Sequence, residues 1–516
     1  MAHKTQRYAL LHVTDKTGIV GLAWGLKDLG FRFLADGGTA ATLRQAELQV
    51  ADLKSLLGLP PPPAPGLGLA HPEILADITS PREPGSIGEA ERRRRLAIDL
   101  VAVNLYPLTE LAHGDLSQAE VLAGIDLEAS SLLRAAARNF RHVVCLCDPE
   151  DYAPTMESLR ALGDLSIEHR QALAAKAFHY SAYYDSTVAQ YLGSLRDRLH
   201  QELVMGLRKS ADLRYGENQH QQGALYALSG ARPWGINQAN LICGQPLAFN
   251  HYFDLDAAWE LAGGFEEPAC AIVKHGVPAA AAVSKSLAEA AKLAYRGDPR
   301  GCFRGTAAVN REVDEAAAAF FAEEVVNCIA APAFSDKALF ALKAKKDIRL
   351  VTLPSTLISA HELDFRSIAG GVLVQDRDHK PLPEDLKFPT RRTPTELEMH
   401  SLRLAWRVAK HSRTHAAVLC RAGQTIGIGS GQTSRLDAVR LALAKSRDRH
   451  PILSDDLPVA LASDGALSVE HVAEAARAGV KAVIQPGFSS EDEDAVKACD
   501  QHGLAMVFTG VRHFRH

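Results

Sequence analysis

Apolar and polar positions follow a repeated order of strand, turn and helix at the start of the chain. The apolar run Tyr8–Val13 has the length of a buried strand and meets the polar turn Thr14–Gly18, after which Ile19–Leu29 shows helical periodicity. Phe31–Leu34 is the next short apolar run, and Asp36–Thr39 then opens a second helix. Strands that alternate with helices in this way predict a parallel, doubly wound α/β sheet.

The same pattern continues through the first 200 residues or so. Leu100–Leu105 and His142–Leu146 are further predicted strands, and helices are expected through Ile167–Arg198. The proline-rich stretch Leu59–Gly68 predicts an extended loop, because proline fixes φ and removes a backbone donor.

A domain boundary is predicted over Gln201–Lys209, where the helical pattern gives way. It separates a domain of residues 1–203 from a larger domain of residues 204–516. In the second domain, alanine-rich helices lie between short apolar runs of strand length. The predicted strands are Ala269–Val273, Val325–Ala330, Gly371–Gln375, Ala416–Leu419, Gln424–Ile428, Val459–Ala462 and Ala482–Gln485.

Composition narrows the class of protein. The 516 residues are 47% hydrophobic and 23% charged with a net charge of −4, so no global field attracts nucleic acid or membrane. The basic cluster Arg92–Arg95 is interpreted as a solvated helix face. The cysteines form no Cys-x-x-Cys pair, which predicts free thiols, with neither a disulfide framework nor a zinc site. Without a signal core or a membrane-length apolar run, we expect a soluble cytoplasmic protein.

The segment Ala271–His275 carries the first candidate chemistry. An apolar run ends abruptly in Lys274 and His275, which places a cation and an imidazole at the carboxyl end of a strand. Ligands bind at that edge of α/β sheets, and the adjacent ammonium disfavours a protonated imidazole, so His275 is a candidate neutral base. The alternative interpretation is a strand end whose two polar residues simply reach solvent.

Two further segments have the composition of anion sites. Arg214–Asn218 is densely polar, and its arginine offers a planar fork suited to phosphate. Ile426–Arg435 is a strand, a glycine turn and a helix start, an arrangement that favours close backbone approach and an anion. Its glycine spacing does not fit a dinucleotide site.

Together these motifs resemble the bifunctional AICAR transformylase/IMP cyclohydrolase family of purine biosynthesis, over essentially the whole chain. The matching segments are Thr14–Gly18, Gly37–Thr39, Asn104–Pro107, Lys176–Phe178, Arg214–Asn218, Lys274–His275, Gly370–Asp378, Gly427–Arg435 and Arg512–His516.

The resemblance implies a fold and two activities. An N-terminal cyclohydrolase domain with a methylglyoxal-synthase-like fold would precede a transformylase built from two cytidine-deaminase-like units without zinc. The transformylase would move a formyl group from 10-formyltetrahydrofolate to the 5-amino group of AICAR, and the cyclohydrolase would close the ring to IMP. A homodimer with shared transformylase sites, no required metal, and nucleotide and folate ligands are also implied.

Site residues follow by position from the resemblance. Lys274 and His275 would be the catalytic pair. The substrate-binding residues would be Arg214, Tyr215, Asn250, His415, Arg435 and His516. The cyclohydrolase-like site would contain Lys16, Gly37, Gly38, Thr39, Tyr106, Asp126 and Arg138.

The sequence also departs from the family pattern. Gly66–Ala70 lacks the Arg and Lys of the family loop before His71, and Glu128 places a carboxylate where the family has glycine, so we expect impaired cyclohydrolase activity. The Phe-rich folate segment is replaced by Ser463–Val469, which predicts weaker pterin stacking. His415 replaces a substrate-contacting Asn. Two alternatives therefore stay open: a paralogue that formylates a different aminoimidazole-like nucleotide, and a non-catalytic nucleotide-binding homologue.

Overall fold

The structure is a computed structural model that describes residues 6–51, 68–82, 96–109, 116–193, 199–229, 234–354, 362–450 and 457–516. Its chain divides into two compact units, Met1–Lys209 with Tyr226–Arg232, and Ser210–Leu225 with Pro233–His516. The predicted loop Leu59–Gly68, except for its last residue, and the basic cluster Arg92–Arg95 lie outside the described residues. No described helix meets the length and apolarity that a membrane crossing needs.

The first unit contains a five-stranded parallel sheet, as its sequence pattern predicts. Its strands are β1 (Arg7–Val13), β2 (Phe31–Leu34), β3 (Val50–Ala51), β4 (Ala97–Asn104) and β5 (Val144–Leu146), in the order β3-β2-β1-β4-β5. The helices are α1 (Ile19–Asp28), α2 (Gly37–Gln45), α3 (Pro72–Thr79), α4 (Gln118–Ala123), α5 (Leu127–Arg138), α6 (Tyr152–Leu162) and α7 (Ile167–Gly193). The strand order reverses between β1 and β4, where a crevice opens in sheets of this type.

Buried apolar side chains explain why these segments take these forms. Helix α5 buries Ala129, Leu132, Leu133 and Ala136, a helical spacing that turns one face to the sheet. Strands β1 and β4 are buried along most of their length, as expected for a parallel sheet covered on both faces.

The second unit is built on an eleven-stranded mixed sheet with the order β20-β19-β18-β16-β17-β10-β9-β11-β12-β13-β8. Its strands are β8 (Asn240–Cys243), β9 (Ala269–Lys274), β10 (Val277–Val283), β11 (Thr306–Val309), β12 (Cys328–Ala331), β13 (Arg349–Thr352), β16 (Ala417–Arg421), β17 (Gln424–Gly429), β18 (Val459–Ser463), β19 (Val480–Gln485) and β20 (Ala505–Phe508). Two separate ribbons pair β6 (Leu207–Leu213) with β7 (Gly223–Leu228), and β14 (Leu363–Ile368) with β15 (Gly371–Asp376).

Helices cover both faces of this large sheet. They are α8 (Phe249–Gly263), α9 (Leu287–Gly297), α10 (Pro299–Cys302), α11 (Glu315–Glu323), α12 (Asp336–Lys343), α13 (Glu396–His411), α14 (Arg435–Arg449), α15 (Val469–Arg477) and α16 (Asp492–His502). Helices α8 and α13 share one apolar core that runs under both halves of the sheet. The opposite face holds two cores, one under α9, α11 and α12 and one under α14, α15 and α16.

The large sheet consists of two half-sheets with the same strand order. Strands β10-β9-β11-β12-β13 match strands β17-β16-β18-β19-β20, and an antiparallel contact between β10 and β17 joins the halves. Each half begins with a two-residue hairpin turn whose residues both have positive φ, His275–Gly276 in one and Ala422–Gly423 in the other. This long-range duplication carries no short-period repeat, so pattern reading along the chain did not find it.

Several strand predictions need correction. The run Val325–Ala330 becomes a strand only from Cys328, because Glu324–Asn327 forms the turn that follows helix α11. Strand β10 was not predicted, since its run of alanines lacks the β-branched residues that mark a strand. Gly371–Gln375 is a strand as predicted but belongs to a separate two-stranded ribbon.

Close packing of strand β17 on helix α14 yields a first prediction. A Cβ added to Gly429 would lie 1.9 Å from the Ala438 carbonyl oxygen, so Gly429→Ala must push the helix away from the sheet. We expect the free energy of unfolding to fall by about 1–3 kcal/mol or more, measured by urea denaturation. Gly263→Ala is the matched control, because its added Cβ meets nothing within 4 Å. Equal stability of the two variants would contradict this account of the packing.

Candidate functional site

Lys274 and His275 lie at the tip of the β9–β10 hairpin. Lys274 pairs with Val277, so His275 and Gly276 form a two-residue turn, with φ values of 58° and 69° that are typical of a type I′ turn. The predicted position at the carboxyl end of a strand is therefore confirmed, although the chain turns straight back into β10. The turn requires a glycine at position 276, since a Cβ added there would lie 2.1 Å from the Phe253 ring.

Two contacts hold this hairpin tip in place. The Gly276 N–H donates to Oδ1 of Asp254 at 2.6 Å, and Nζ of Lys274 donates to the Phe303 carbonyl oxygen at 2.9 Å. The His275 side chain is exposed. Burial raises the pKa of Asp254 despite the opposing Gly276 hydrogen bond and the electrostatic effect of neighbouring His275 and Lys274. The tip thus presents an imidazole to solvent beside an ammonium of fixed position.

Asp254 was missed by sequence reasoning. It lies on helix α8 four residues after Asn250, so both side chains occupy one face of the helix. That spacing was the available signal. Asn250 donates from Nδ2 to the carbonyl oxygen of Glu217 at 3.3 Å, which places the Arg214–Asn218 segment at the start of α8. The structure therefore links Asn250 to the segment that contains Arg214 and Tyr215.

Strand pairing brings further predicted residues to the edge that holds the hairpin tip. The first residue of β16, Ala417, is paired with the last residues of β17 and β18, Gly429 and Ser463. Since β17 runs antiparallel to β10 and so parallel to β9, all these ends share one edge of the sheet. Three strand steps separate β9 from β16, or about 14 Å.

His415 and Arg435 are in contact at this edge. Nη2 of Arg435 lies 2.9 Å from Nδ1 of His415, and because a guanidinium only donates, Nδ1 must accept. Burial and the charge of Arg435 lower the pKa of His415, so the imidazole is neutral with its proton on Nε2. Arg435 also donates to the Ala466 carbonyl oxygen at 3.2 Å and lies near the buried Asp464.

The C-terminal segment packs against this pair. The Thr414 N–H donates to the Arg515 carbonyl oxygen at 2.9 Å. The ring of Phe514 is perpendicular to the rings of His415 and His516, at centroid distances of 6.1 and 6.2 Å. Burial raises the pKa of Asp464, which accepts a hydrogen bond from the Thr414 hydroxyl. Predicted residues His415, Arg435 and His516 are therefore brought together.

A cavity of about 950 Å³ lies between the hairpin tip and the C-terminus. Gly276 and His516 both line it, as do the cationic side chains of Arg366, Arg377 and Arg413. This size lies at the upper end of the usual range for small-molecule sites. The carboxylates of Asp256, Glu260, Asp364 and Asp378 line it too, but arginine and lysine side chains outnumber them, so the wall has a net positive charge suited to an anionic ligand.

In the first unit, the predicted residues lie at the carboxyl ends of β1, β2 and β4. The φ of Gly37 is 47°, and Nζ of Lys16 lies 3.5 Å from where a Gly38 Cβ would be. The hydroxyl of Thr39 donates to the Val13 carbonyl oxygen and accepts from its N–H, so it ties α2 to β1. Tyr106 is 43% exposed just after β4.

Asp126 and Arg138 occupy opposite ends of helix α5. Asp126 caps the helix by accepting the Ala129 N–H at 2.9 Å, whereas Arg138 is its last residue. Twelve residues span about 18 Å, so one chain does not bring these two predicted residues together.

Glu128 occupies an anion position that the loop before His71 provides. Its Oε1 accepts hydrogen bonds from the N–H groups of Leu69 and Ala70, the second at 3.0 Å. The side chain is only 3% exposed, and burial raises its pKa. Backbone donors that could bind a ligand anion are therefore bound by the chain's own carboxylate.

The fold and these sites define an α/β protein with candidate anion and acid–base sites at sheet edges in two units. The AICARFT/IMPCHase bienzyme family model matches residues 136–445. The bifunctional purine biosynthesis protein PurH of Persephonella marina (strain DSM 14350 / EX-H1) is 36% identical over 518 residues, covering 99% of this chain and 100% of that protein. The chain therefore belongs to the AICARFT/IMPCHase bienzyme family, which confirms the resemblance.

The chain also matches solved structures, among them one named ForH. The crystal structure of ForH is 33% identical to this chain and covers 37% of it and 100% of its own length. The TM-score is 0.33, a value that supports no structural argument.

Glu362, whose ion-pair partner Arg377 lines the cavity, yields a prediction for stability against pH. Burial raises the pKa of Glu362 from 4.5 to about 7 against the pull of Arg377, and Glu260 and Asp256 add to the rise. Between pH 4.5 and about 7, the folded protein keeps a proton on Glu362 that the unfolded chain releases. The contribution of Glu362 to stability therefore falls as the pH rises through this interval. Glu362→Gln should gain stability relative to the parent between these pH values, measured by denaturant titration. The exposed Glu384→Gln should not, and a parallel pH response of Glu362→Gln and the parent would refute the assignment.

Proposed function

We propose that this protein transfers the formyl group of 10-formyltetrahydrofolate to the 5-amino group of AICAR. The observation that carries the proposal is the hairpin tip, where exposed His275 adjoins Lys274 and both positions are fixed by Asp254 and Phe303. In this proposal the fold comprises a methylglyoxal-synthase-like domain, residues 1–203, and two cytidine-deaminase-like units in residues 204–516.

The chemistry follows from these two side chains. The AICAR amine is a weak nucleophile because its lone pair is conjugated with the imidazole ring. His275 takes the amine proton as nitrogen bonds to the formyl carbon, and Lys274 stabilises the oxyanion. The carbon–nitrogen bond to the folate then breaks, and the departing N10 receives a proton from Lys274 or from the imidazolium. The products are the formylated nucleotide and tetrahydrofolate.

The remaining predicted residues bind the substrate in this proposal. Arg214 and Arg435 are suited to phosphate because guanidinium groups bind it through paired hydrogen bonds. Tyr215, Asn250 and His516 would orient the nucleotide. A homodimer that shares these sites rests on the family resemblance, since a single chain is described.

We propose that IMP cyclohydrolase activity is impaired. Asp126 and Arg138 lie at opposite ends of α5, and Glu128 fills the loop donors that an anionic substrate would use. A buried carboxylate at that point repels a phosphate and must be displaced before one can bind.

The hydrogen bonding of His415 favours a second candidate substrate. Its Nδ1 already accepts from Arg435, so only the Nε2 proton is left, and the side chain can offer a donor but no acceptor. A carboxamide loses one partner at such a site, whereas a carboxylate does not. An aminoimidazole carboxylate ribonucleotide is therefore the competing substrate.

The test of both candidates is one assay with purified full-length protein. With AICAR and 10-formyltetrahydrofolate, we expect tetrahydrofolate release and, by mass analysis, accumulation of formylated AICAR without IMP. His275→Ala should lower kcat by about 100-fold or more. The exposed His502→Ala is the control and should retain the parent's rate. No release from AICAR would reject the first proposal, and faster turnover of the carboxylate analogue would establish the second.

The role of Asp254 generates a separate prediction. Asp254→Ala leaves the Gly276 N–H without its acceptor, so the hairpin tip loses its fixed position and kcat should fall about tenfold. Asp254→Asn keeps an acceptor oxygen and should retain most of kcat. KM for AICAR should change little in either variant, because Asp254 acts through the turn. Equal loss in both variants would show that the carboxylate charge, and not the hydrogen bond, matters.

A further inference from the structure

Three side chains with metal-ligating atoms converge in the first unit, outside the formyl-transfer site. His12 lies near the end of β1, Asp36 immediately precedes α2, and Glu128 is in the first turn of α5. Strands β1 and β2 are parallel with Leu10 opposite Leu34, so His12 falls opposite Asp36 two residues further on. Three separate elements therefore contribute one ligand each.

The geometry of the cluster is close to that of a metal site. The ligand atoms of His12, Asp36 and Glu128 all lie within 4.8 Å of one another, and Nδ1 of His12 is 2.9 Å from Oδ1 of Asp36. Ligands at about 2.0–2.2 Å from one ion are roughly 3.3–3.6 Å apart at a tetrahedral angle. Only a small closure of the cluster is needed to coordinate an ion.

Glu128 is oriented for this purpose by the backbone. Its Oε1 accepts the N–H groups of Leu69 and Ala70, which leaves Oε2 for an ion. A carboxylate ligand that is hydrogen-bonded through its other oxygen is the usual supporting arrangement at metal sites. The side chain is 3% exposed, so its orientation is fixed by packing as well.

Charge around the cluster also favours a cation. The carboxylates of Asp36, Glu128 and Asp126 all act electrostatically on His12, and Asp36 acts on Glu128. Within the part of the chain that the structure describes, the main groups acting on His12 and Glu128 include no lysine or arginine.

We infer that His12, Asp36 and Glu128 form a binding site for a divalent transition-metal ion with one imidazole nitrogen and two carboxylate oxygens. This donor set suits Mn²⁺, Fe²⁺ or Zn²⁺. Three protein ligands leave coordination positions open for water or for the oxygen of an anionic ligand at the carboxyl edge of the sheet. The sequence analysis expected no metal, since the cysteine spacing fits no zinc site and the family resemblance implies none. The cluster itself comes from residues far apart in the chain. The site is independent of the proposed formyl transfer.

The test uses full-length protein stripped of metal with a chelator and titrated with Mn²⁺, since the chain's eight free cysteines would compete for Zn²⁺. Free Mn²⁺ is followed by its electron paramagnetic resonance signal. We expect one ion bound per chain and at least tenfold weaker binding in Glu128→Gln and in Asp36→Asn. Glutamine keeps an acceptor for the loop N–H groups, and Asp36 makes no side-chain capping hydrogen bond to α2 that asparagine could lose, so both variants should fold. The exposed Glu157→Gln on α6 is the matched control.

The outcomes separate clearly. Loss of binding in the two cluster variants, with parental circular dichroism and with normal binding in Glu157→Gln, supports the site. No Mn²⁺ uptake by the parent protein below millimolar concentration, or uptake that Glu128→Gln and Asp36→Asn leave unchanged, overturns it. Because no nucleotide or folate is present, failure here is distinct from failure of the formyl-transfer assay.

Discussion

The two-residue turn at His275–Gly276 is the constraint on which the C-terminal site depends. Both residues have positive φ, and the ring of Phe253 leaves no room for a side chain at position 276. The turn can therefore take only one shape, which projects the imidazole from the sheet while Lys274 stays in the ladder beside Asp254. Side chains on so short a turn have few alternative positions, and in the proposed formyl transfer this preorganisation would contribute to rate without rearrangement during the reaction.

The two candidate sites differ in the charge of the side chains that form them. The cavity of the second unit is lined by more arginine and lysine side chains than carboxylates, which suits an anionic ligand. The first unit places Glu128, Asp36 and His12 at the corresponding strand ends, and Glu128 itself occupies the loop N–H groups. The cavity of the second unit is therefore mainly basic, whereas the cluster at the strand ends of the first unit is mainly acidic.

Local features could be read from the sequence, whereas pairing across the fold could not. The parallel N-terminal sheet and the strand ending at Lys274 follow from short-range periodicity, which reports burial. Strand β10 was not predicted because alanine carries no strand signal. Asp254 was not predicted as a site residue because its partner, the N–H of Gly276, lies 22 residues away. Arg138 was placed with Asp126 by family position alone, although helix geometry separates them within one chain.

The duplicated half-sheets supply an internal comparison for the His275–Gly276 turn. Where one copy has Lys274-His275-Gly276, the other has Arg421-Ala422-Gly423 with the same backbone shape. Hairpin geometry alone is therefore a property of the scaffold that both copies share, and the imidazole occurs in only one of them. The Ala422–Gly423 turn carries a methyl group where the His275–Gly276 turn carries an imidazole. The molecule itself therefore contains the comparison that separates the shape of the turn from the chemistry of its side chain.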